Sequence, residues 1–458
     1  MSLNGTFYEG IYESNNLKPG CSFKYKVYSP ENYENAENLG LMVTHDGFNQ
    51  SATEAMEICL KRGTMPPCVS IGTDPSNLKA TLEGGFNRRM RLDNYDIFDR
   101  RFPDFMVDEL LPYIIEKHNL KISPSPDMHL IAGVSSGGIS TFNIAWTRTD
   151  YFRRVYMSSP SFLSMNNGLE MTALMRKFET KPLRIWTEFS EDEPDDYFGS
   201  SYTVADAAER ALKFANYDLN SRYYPREGHG SRYSKANTLL DIMEFLWKDW
   251  EKPISAPDNS PRFNKVFVKG SNWDKADFTD FPDRSTLKVK NGFTYKAEGN
   301  KIYIIDGDKK EEVYSIRHEI SAINISSDGW RLYIASKNAG CMYAASVLPD
   351  GKIEGNFIQA YIHKLTDFLY PGVSDIAVDP HDRIFAATEM GIQAIRSSGL
   401  IDVIAPLPND LIPEKVTIVN ENEKYFLLAL TGNGTYKREI VYYSEIEENF
   451  PYPNDYYD

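Results

Sequence analysis

Leu130-Ile131-Ala132-Gly133-Val134-Ser135-Ser136-Gly137-Gly138-Ile139 decides how this chain is read: an apolar strand runs into a tight Gly-x-Ser-x-Gly turn and leaves it as a helix. Ser135 stands at the apex. Glycines at 133 and 137 let the backbone take a strained turn and keep space clear beside the serine oxygen. Ahead of the turn, His129 to Ala132 is strand-like. Beyond it, Ile139, Phe142, Ile144, Ala145 and Trp146 form the apolar face of a helix packed on a sheet. Three fixed residues make a weak pattern alone, and a plain small-residue turn is the competing reading. The choice rests on whether the rest of the chain supplies a base and an acid.

A serine hydroxyl is a poor nucleophile near neutral pH. It needs a base within hydrogen-bond reach, and the base needs a carboxylate to fix its tautomer. A serine at a strand-to-helix apex is the nucleophile elbow of α/β-hydrolases, in which the chain order is Ser, acid, His. Of the seven histidines, His45, His118 and His129 precede Ser135, and His318, His363 and His381 lie in a later, β-rich segment. That leaves His229, in the Gly-flanked loop Glu227-Gly-His-Gly. The acid belongs in the loop after Pro182-Leu-Arg-Ile-Trp-Thr-Glu-Phe, where Glu191, Asp192, Glu193, Asp195 and Asp196 stand. Glu193 is preferred and Asp192 is second, the remainder being solvated loop charge. Buried strand Gly40 to His45 runs into Asp46-Gly47-Phe48, where such enzymes place half the oxyanion hole. The N–H groups of Phe48 and Ser136 are therefore the expected donors, with an ordinary tight turn as the alternative for Asp46-Gly47.

At 458 residues the chain exceeds one ordinary core, which predicts two domains. The first is expected over 1–252, with alternating strands and helices and therefore a parallel sheet covered on both faces. Phe23 to Ser29 reads as an edge strand, Ala52 to Arg62 as a helix, and Phe105 to His118 as a helix that Pro112 kinks. Strands are expected at Pro67 to Gly72, Arg154 to Pro160, Pro182 to Phe189 and Ser221 to Pro225, and a closing helix from about Tyr233 to Trp250. Residues 253–284, opened by Pro253, Pro257 and Pro261, read as a linker. Over 285–458 short β-rich runs recur. Ser327-Asp-Gly-Trp-Arg-Leu-Tyr-Ile-Ala and Asp379-Pro-His-Asp-Arg-Ile-Phe-Ala-Ala share one turn-then-strand design, which suggests about four propeller-like blades.

A net charge of −15 without a long basic run argues against nucleic acid and anionic membrane as partners, and solubility accounts for the charge. No run reaches the roughly eighteen apolar residues of a membrane span. Met1 to Gly10 has no basic n-region or apolar core, so the chain as it stands is expected in the cytoplasm, or in the periplasm or secreted if a leader has been removed. Cys21, Cys59, Cys68 and Cys341 show no disulfide framework and read as buried thiols, a Cys59–Cys68 bridge being the alternative for an exported chain.

Four stretches carry a family resemblance: Asp104-Phe-Met-Val-Asp-Glu-Leu-Leu-Pro, Ala132-Gly-Val-Ser-Ser-Gly-Gly, Tyr151-Phe-Arg-Arg-Val-Tyr-Met-Ser-Ser-Pro-Ser-Phe and Glu227-Gly-His-Gly. Over about residues 20 to 250 the chain resembles the enterochelin esterase and family-one carbohydrate esterase group, the esterase D-like branch of α/β-hydrolases. The resemblance implies ester hydrolysis through an acyl-serine intermediate, with Ser135 as nucleophile, His229 as base and then acid, and Ser136 and Phe48 N–H groups on the oxyanion. In relatives the acid stands three residues after a glycine that ends its strand. Ser190 holds that place here, so Glu193 follows by offset.

The later segment is similar to part of the gluconolactonase and regucalcin-like propellers, through Ser327 to Ala335 and Gly372 to Gln393. Alignment puts Ser321 and Ser374 where those enzymes have metal-binding Asn and Asp, and Asp375 one residue out of step. No metal, no cofactor and no lactonase activity are expected in this half, whose expected work is ligand binding, covering the esterase cleft or association.

The fold class expected is an α/β-hydrolase domain followed by an all-β, propeller-like domain. The function expected is a serine esterase acting on a small-molecule or carbohydrate ester, with acetyl or feruloyl as the acyl group. The alternatives are a siderophore ester hydrolase, a non-catalytic ligand-binding protein on a hydrolase scaffold, and a metal-dependent lactonase using the second domain. Nothing in the sequence sets the oligomeric state.

Overall fold

The computed structural model describes residues 3–33, 36–163, 165, 168–257, 262–289, 292–364 and 372–442. Two compact units divide the chain, the first mainly Met1–Arg176 with Thr180–Asn259, the second mainly Ser260–Lys364 with Phe368–Asp458.

The first unit contains β1 (Thr6–Glu13), β2 (Cys21–Ser29), β3 (Gly40–His45), α1 (Gln50–Arg62), β4 (Cys68–Thr73), β5 (Asn77–Leu78), β6 (Arg88–Arg89), α2 (Arg91–Tyr95), α3 (Arg101–Phe105), α4 (Leu111–Lys117), β7 (His129–Val134), α5 (Ser136–Thr147), β8 (Arg154–Ser158), α6 (Glu170–Lys177), β9 (Arg184–Asp192), β10 (Asp195–Asp196), β11 (Gly199–Ser200), α7 (Ser201–Phe214), β12 (Asp218–Gly228) and α8 (Ala236–Leu246). One ten-stranded sheet organises it, in the order β12-β9-β8-β7-β3-β4-β2-β5-β6, with β1 on β2. The six strands from β12 to β4 in that order are parallel to their neighbours. Their centre is buried on both faces, which is why β3 and β7 read as continuous apolar runs. On one face Met42, Leu130, Tyr156 and Trp186 pack against Met56, Cys59, Met243 and Trp247.

Local chemistry sets the element ends. Asn49 caps α1 by accepting the Ala52 N–H at 2.9 Å, and Gly63 closes it at φ 70°. The kink expected at Pro112 takes the form of a π-helical turn, Met106–Leu110, between α3 and α4. Proline has no N–H to continue the ladder, and the extra residue of the π turn absorbs the gap.

Several expectations need correction. Phe23 to Ser29 belongs to the interior strand β2, because β1 pairs along its length from Thr6↔Ser29 to Glu13↔Ser22. Antiparallel β1 and β2 make the sheet mixed at that end. The closing helix is shorter than its apolar pattern, Ala236–Leu246, with Tyr233 and Trp250 in flanking turns. The linker expected over 253–284 is partly structured. Phe263, Val266 and Phe267 are buried in the core of the second unit, and β13 (Asp274–Ala276) joins one of its sheets. Proline spacing marked the start of this segment and not its end. Cys21, Cys59, Cys68 and Cys341 are free and buried.

Among the described residues, the second unit has four four-stranded antiparallel sheets. The first three are β14 (Thr286–Lys288) to β17 (Lys309–Ser315) through β15 (Thr294–Glu298) and β16 (Lys301–Asp306); β18 (Ala322–Ile325) to β21 (Ile353–Tyr361) through β19 (Arg331–Ala335) and β20 (Cys341–Val347); and β22 (Val373–Val378) to β25 (Ile401–Ala405) through β23 (Ile384–Thr388) and β24 (Gly391–Ile395). The fourth is β26 (Pro413–Glu421), β27 (Lys424–Thr431) and β28 (Gly434–Ile440), with β13 added at the edge of β28. The repeated turn-then-strand motif leads into β19 and β23, the second strands of two successive sheets. Successive first strands touch. Ile323 N–H donates to Arg284 O at 2.9 Å, Ser321 Oγ to Val373 O at 2.5 Å, and Val416 N–H to Asp375 Oδ2 at 2.9 Å.

Gly133 is one of the positions in the first unit with no room for a side chain. A Cβ there would stand 2.3 Å from Gly137 O and 2.4 Å from Gly137 C, both backbone atoms. Gly133→Ala is expected to lower unfolding free energy by about 1–3 kcal/mol, read as a lower urea midpoint. An unchanged midpoint would show that the elbow backbone gives way freely.

Candidate active site

Ser135 connects β7 directly to α5 with φ 59° and ψ −127°, a conformation that non-glycine residues rarely adopt. The turn is held from both sides. Ser135 N–H donates to Ser158 O of β8 at 3.0 Å, while Gly138 N–H donates to Ser135 O at 2.9 Å and starts the helix. The N–H groups of Ser136 and Gly137 precede that first helical bond and lie at the positive end of the α5 dipole.

Phe48 belongs to the turn after β3. The Thr44 hydroxyl donates to Gly47 O at 2.9 Å, and Gly47 N–H to Thr73 O at 3.0 Å. Fixing the Gly47 carbonyl on one side of a trans peptide turns the Phe48 N–H to the other. Gly72 makes room for this peptide, since a Cβ there would stand 2.3 Å from Phe48 N. The turn reaches the elbow: Asp46 Oδ2 is 3.2 Å and His45 Cβ 3.3 Å from where a Gly137 Cβ would be.

Negative charge beside an oxyanion hole would oppose it, and at Asp46 that charge is offset by Arg91. Asp46 takes two hydrogen bonds of 2.7 Å from Arg91. Asp96, whose carboxyl oxygens are buried without a hydrogen-bond partner among the described residues, has its pKa pushed up to about 6, mainly by burial. Arg91, the first residue of α2, is the arginine that reaches this turn. Arg88 and Arg89 are exposed.

His229 follows β12 immediately, and Glu193 follows β9 immediately. The two strands are neighbours, Gly228 pairing with Asp192. His229 Nδ1 is hydrogen-bonded to Glu193 Oε2. The other carboxylate oxygen accepts from the Ser159 hydroxyl at 2.6 Å and the Ser190 N–H at 3.0 Å. Burial raises the Glu193 pKa, but the bonds from His229, Ser159 and Ser190 outweigh it, so the carboxyl is held below its ordinary value and charged. Of the two candidate acids, Glu193 is the one joined to His229, and exposed Asp192 points elsewhere. Loop and elbow also meet: a Gly230 Cβ would lie 2.5 Å from Val134 Cγ2, beside Ser135.

Ser135 Oγ pairs with Ser161 Oγ at 3.0 Å, and among the described residues no hydrogen bond joins it to His229. Resting hydrolase serines often take their base only when substrate binds. Nothing in the sequence by itself marks Ser159 and Ser161 as site residues. Both lie in Ser158-Ser-Pro-Ser-Phe, where the resemblance to a family was the one signal available.

Residues 14–252, slightly more than half of the chain, match the profile of the Esterase family. The chain belongs to that family. It is a hydrolase of carboxylic esters, with an α/β esterase domain followed by an all-β region. Solved structures similar to it include a ferulic acid esterase (15% identity, TM-score 0.40, 54% of this chain and 99% of that one). They also include the enterobactin esterase from Shigella flexneri (19%, 0.42, 55% and 61%) and the BES protein from Bacillus cereus (19%, 0.41, 54% and 98%). The chain thus spans about three fifths of the Shigella protein. Comparison with curated proteins gives no match.

Glu193→Gln is expected to lower kcat by roughly a thousandfold, because Gln no longer fixes the imidazole tautomer. Asp192→Asn should stay within about twofold of wild type, since only the orienting acid touches the base. Equal loss in both would reject this assignment. The depressed Glu193 pKa adds stability that is complete above the unfolded value, about 4.3, and is lost as pH falls through the native value. The stability gap between wild type and Glu193→Gln should therefore close on acidification.

Proposed function

We propose that the protein is a serine esterase releasing acyl groups, acetyl or feruloyl, from carbohydrate through an acyl-Ser135 intermediate. The observation that carries this reading is the His229–Glu193 pair, brought by the Gly230 packing beside the strained Ser135 elbow. Ser135 Oγ leaves Ser161 and attacks the ester carbonyl as His229 Nε2 takes its proton. The tetrahedral oxyanion is held by the Ser136 and Phe48 N–H groups, donors fixed in place before reaction. His229 then protonates the departing alcohol, water attacks the acyl-serine with His229 as base, and the acid is released.

Support for a sugar or phenolic ester comes from the loop that follows Glu193. There Tyr197 is 89% exposed and packs on Phe198 with ring centroids 4.1 Å apart. Its placement four residues past the orienting acid sets a flat, apolar face on the same loop, suited to a sugar ring or a phenolic acid. For the second unit we infer a small propeller of four sheets with a ligand-binding and not a hydrolytic role.

Wild type and Ser135→Ala are compared on p-nitrophenyl acetate, methyl ferulate and an acetylated xylo-oligosaccharide, with and without chelator. All ester turnover should depend on Ser135, fall on the order of a thousandfold or more in the variant, and ignore chelator. Tyr197→Ala should raise KM by about two- to tenfold for the oligosaccharide or the ferulate and leave p-nitrophenyl acetate unchanged. Turnover that survives in Ser135→Ala but disappears with chelator would favour metal-dependent hydrolysis.

A further inference from the structure

Ser159 occupies a position whose backbone asks for glycine. Its φ is 44°, in the left-handed region, directly after β8. Its N–H donates to Glu188 O of β9 at 2.7 Å, which holds the residue there. A serine in such a place brings a hydroxyl that glycine lacks, and here both sides of that hydroxyl are engaged. Gly230 N–H, which can only donate, lies 3.0 Å from Ser159 Oγ. The oxygen must accept it, so the hydroxyl proton goes to Glu193 Oε1 at 2.6 Å. Glu193 Oε2 in turn holds His229 Nδ1. The direction of every bond is thereby set, and the bonds close a ring: the Gly230 amide to Ser159, Ser159 to Glu193, Glu193 to His229, and His229 to Gly230 through the chain.

Sheet order shows why a tether is needed. His229 leaves β12, three places from β7 in the order β12-β9-β8-β7. With strands about 4.8 Å apart, that is roughly 14 Å of lateral separation. To serve Ser135, the loop bearing His229 must lean back across β9 and β8. β8 is the strand next to β7, and Ser159 at its end is what the returning loop meets.

We propose that Ser159 is a positioning residue of the ester-cleaving machinery: its hydroxyl ties the acid to the base-bearing loop, fixing His229 as the Nδ1–H tautomer with Nε2 free toward Ser135. The inference rests on the esterase reading above. It assigns no contact between Ser159 and substrate.

Ser159→Gly is the decisive variant, because it removes the hydroxyl while suiting the left-handed backbone, so the fold is retained. Ser159→Ala is measured beside it, with Ser135→Ala as reference. In Ser159→Gly the expected outcome is an unfolding midpoint at or above wild type and a kcat lower by about ten- to hundredfold, the worth of one hydrogen bond to a charged group. KM stays within twofold. The low-field proton resonance of His229 Nδ1–H, sharp in wild type, broadens in both Ser159 variants. If kcat of Ser159→Gly stays within twofold of wild type while Ser135→Ala is inert, the positioning role is overturned and the esterase reading stands. A fall in kcat with the Nδ1–H resonance unchanged would overturn it too. If Ser135→Ala turns over like wild type, the esterase reading itself fails.

Discussion

The backbone of Ser135 is the constraint on which the first unit depends. A residue at φ 59° and ψ −127° costs about 1–3 kcal/mol and survives only if its surroundings over-determine it. They do so from three directions. β7 is flanked by β3 and β8 and buried up to half-buried Val134, so the strand end is held in place. α5 is packed so tightly against β7 that Gly133 and Gly137 meet backbone to backbone. The Ser135 amide is claimed by Ser158 of the next strand. Relaxing the turn would break the bond to Ser158 or the helix start. The strain is therefore held in the one place where it exposes an oxygen.

Two buried carboxyls on one strand and its exit loop show how environment divides their roles. Glu188 is 2% exposed and surrounded by Tyr156, Ser158 and Trp186, whose hydrogen bonds do not overcome burial, so its pKa rises. Glu193 is buried too, yet its bonds from His229, Ser159 and a backbone N–H outweigh the same penalty and its pKa falls. The contrast matters because an imidazole that takes up a proton needs a charge beside it, and a carboxyl leaning toward neutrality cannot supply one. Five residues of separation put Glu193 at the strand's exit, where the neighbouring β12 delivers His229. Glu188 instead stays within the strand, its side chain given over to packing hydroxyl and indole groups.

Ser135 and His229 were legible because chain order and glycine spacing are properties of sequence. Glu193 was legible by offset alone, since Ser190 replaces the glycine that marks the place. The structure gives that serine a role through its amide, which needs no particular side chain. Ser159 was not legible, because its importance lies in a left-handed backbone and two hydrogen bonds to residues 34 and 71 positions away. The interior place of β2 was hidden for a related reason. Its alternation of buried and half-buried residues is what an edge strand shows as well, and only the pairing with β1 distinguishes them.

In the second unit the texture of short strands was legible and the pairing was not. β13 is three residues, Asp-Lys-Ala, with no apolar pattern, and it joins β28 through backbone bonds that side chains do not announce. Parity misled in the same way at Asp375. Counting along an unbroken strand puts Ser374 and Asp375 on opposite faces, and aligning by motif leaves the carboxylate one step out of register. The strand is broken there: a register shift lies between Val373 and Asp375, so period-two counting fails at the very residue it was meant to place. Asp375 is buried, with one oxygen on the Val416 N–H of the next sheet and its pKa pushed up to about 6, chiefly by burial. A carboxylate spent on joining two first strands is engaged in holding the sheets side by side. That structural use, which no alignment of single residues reveals, accounts for a buried acid in this unit without assigning it any chemistry.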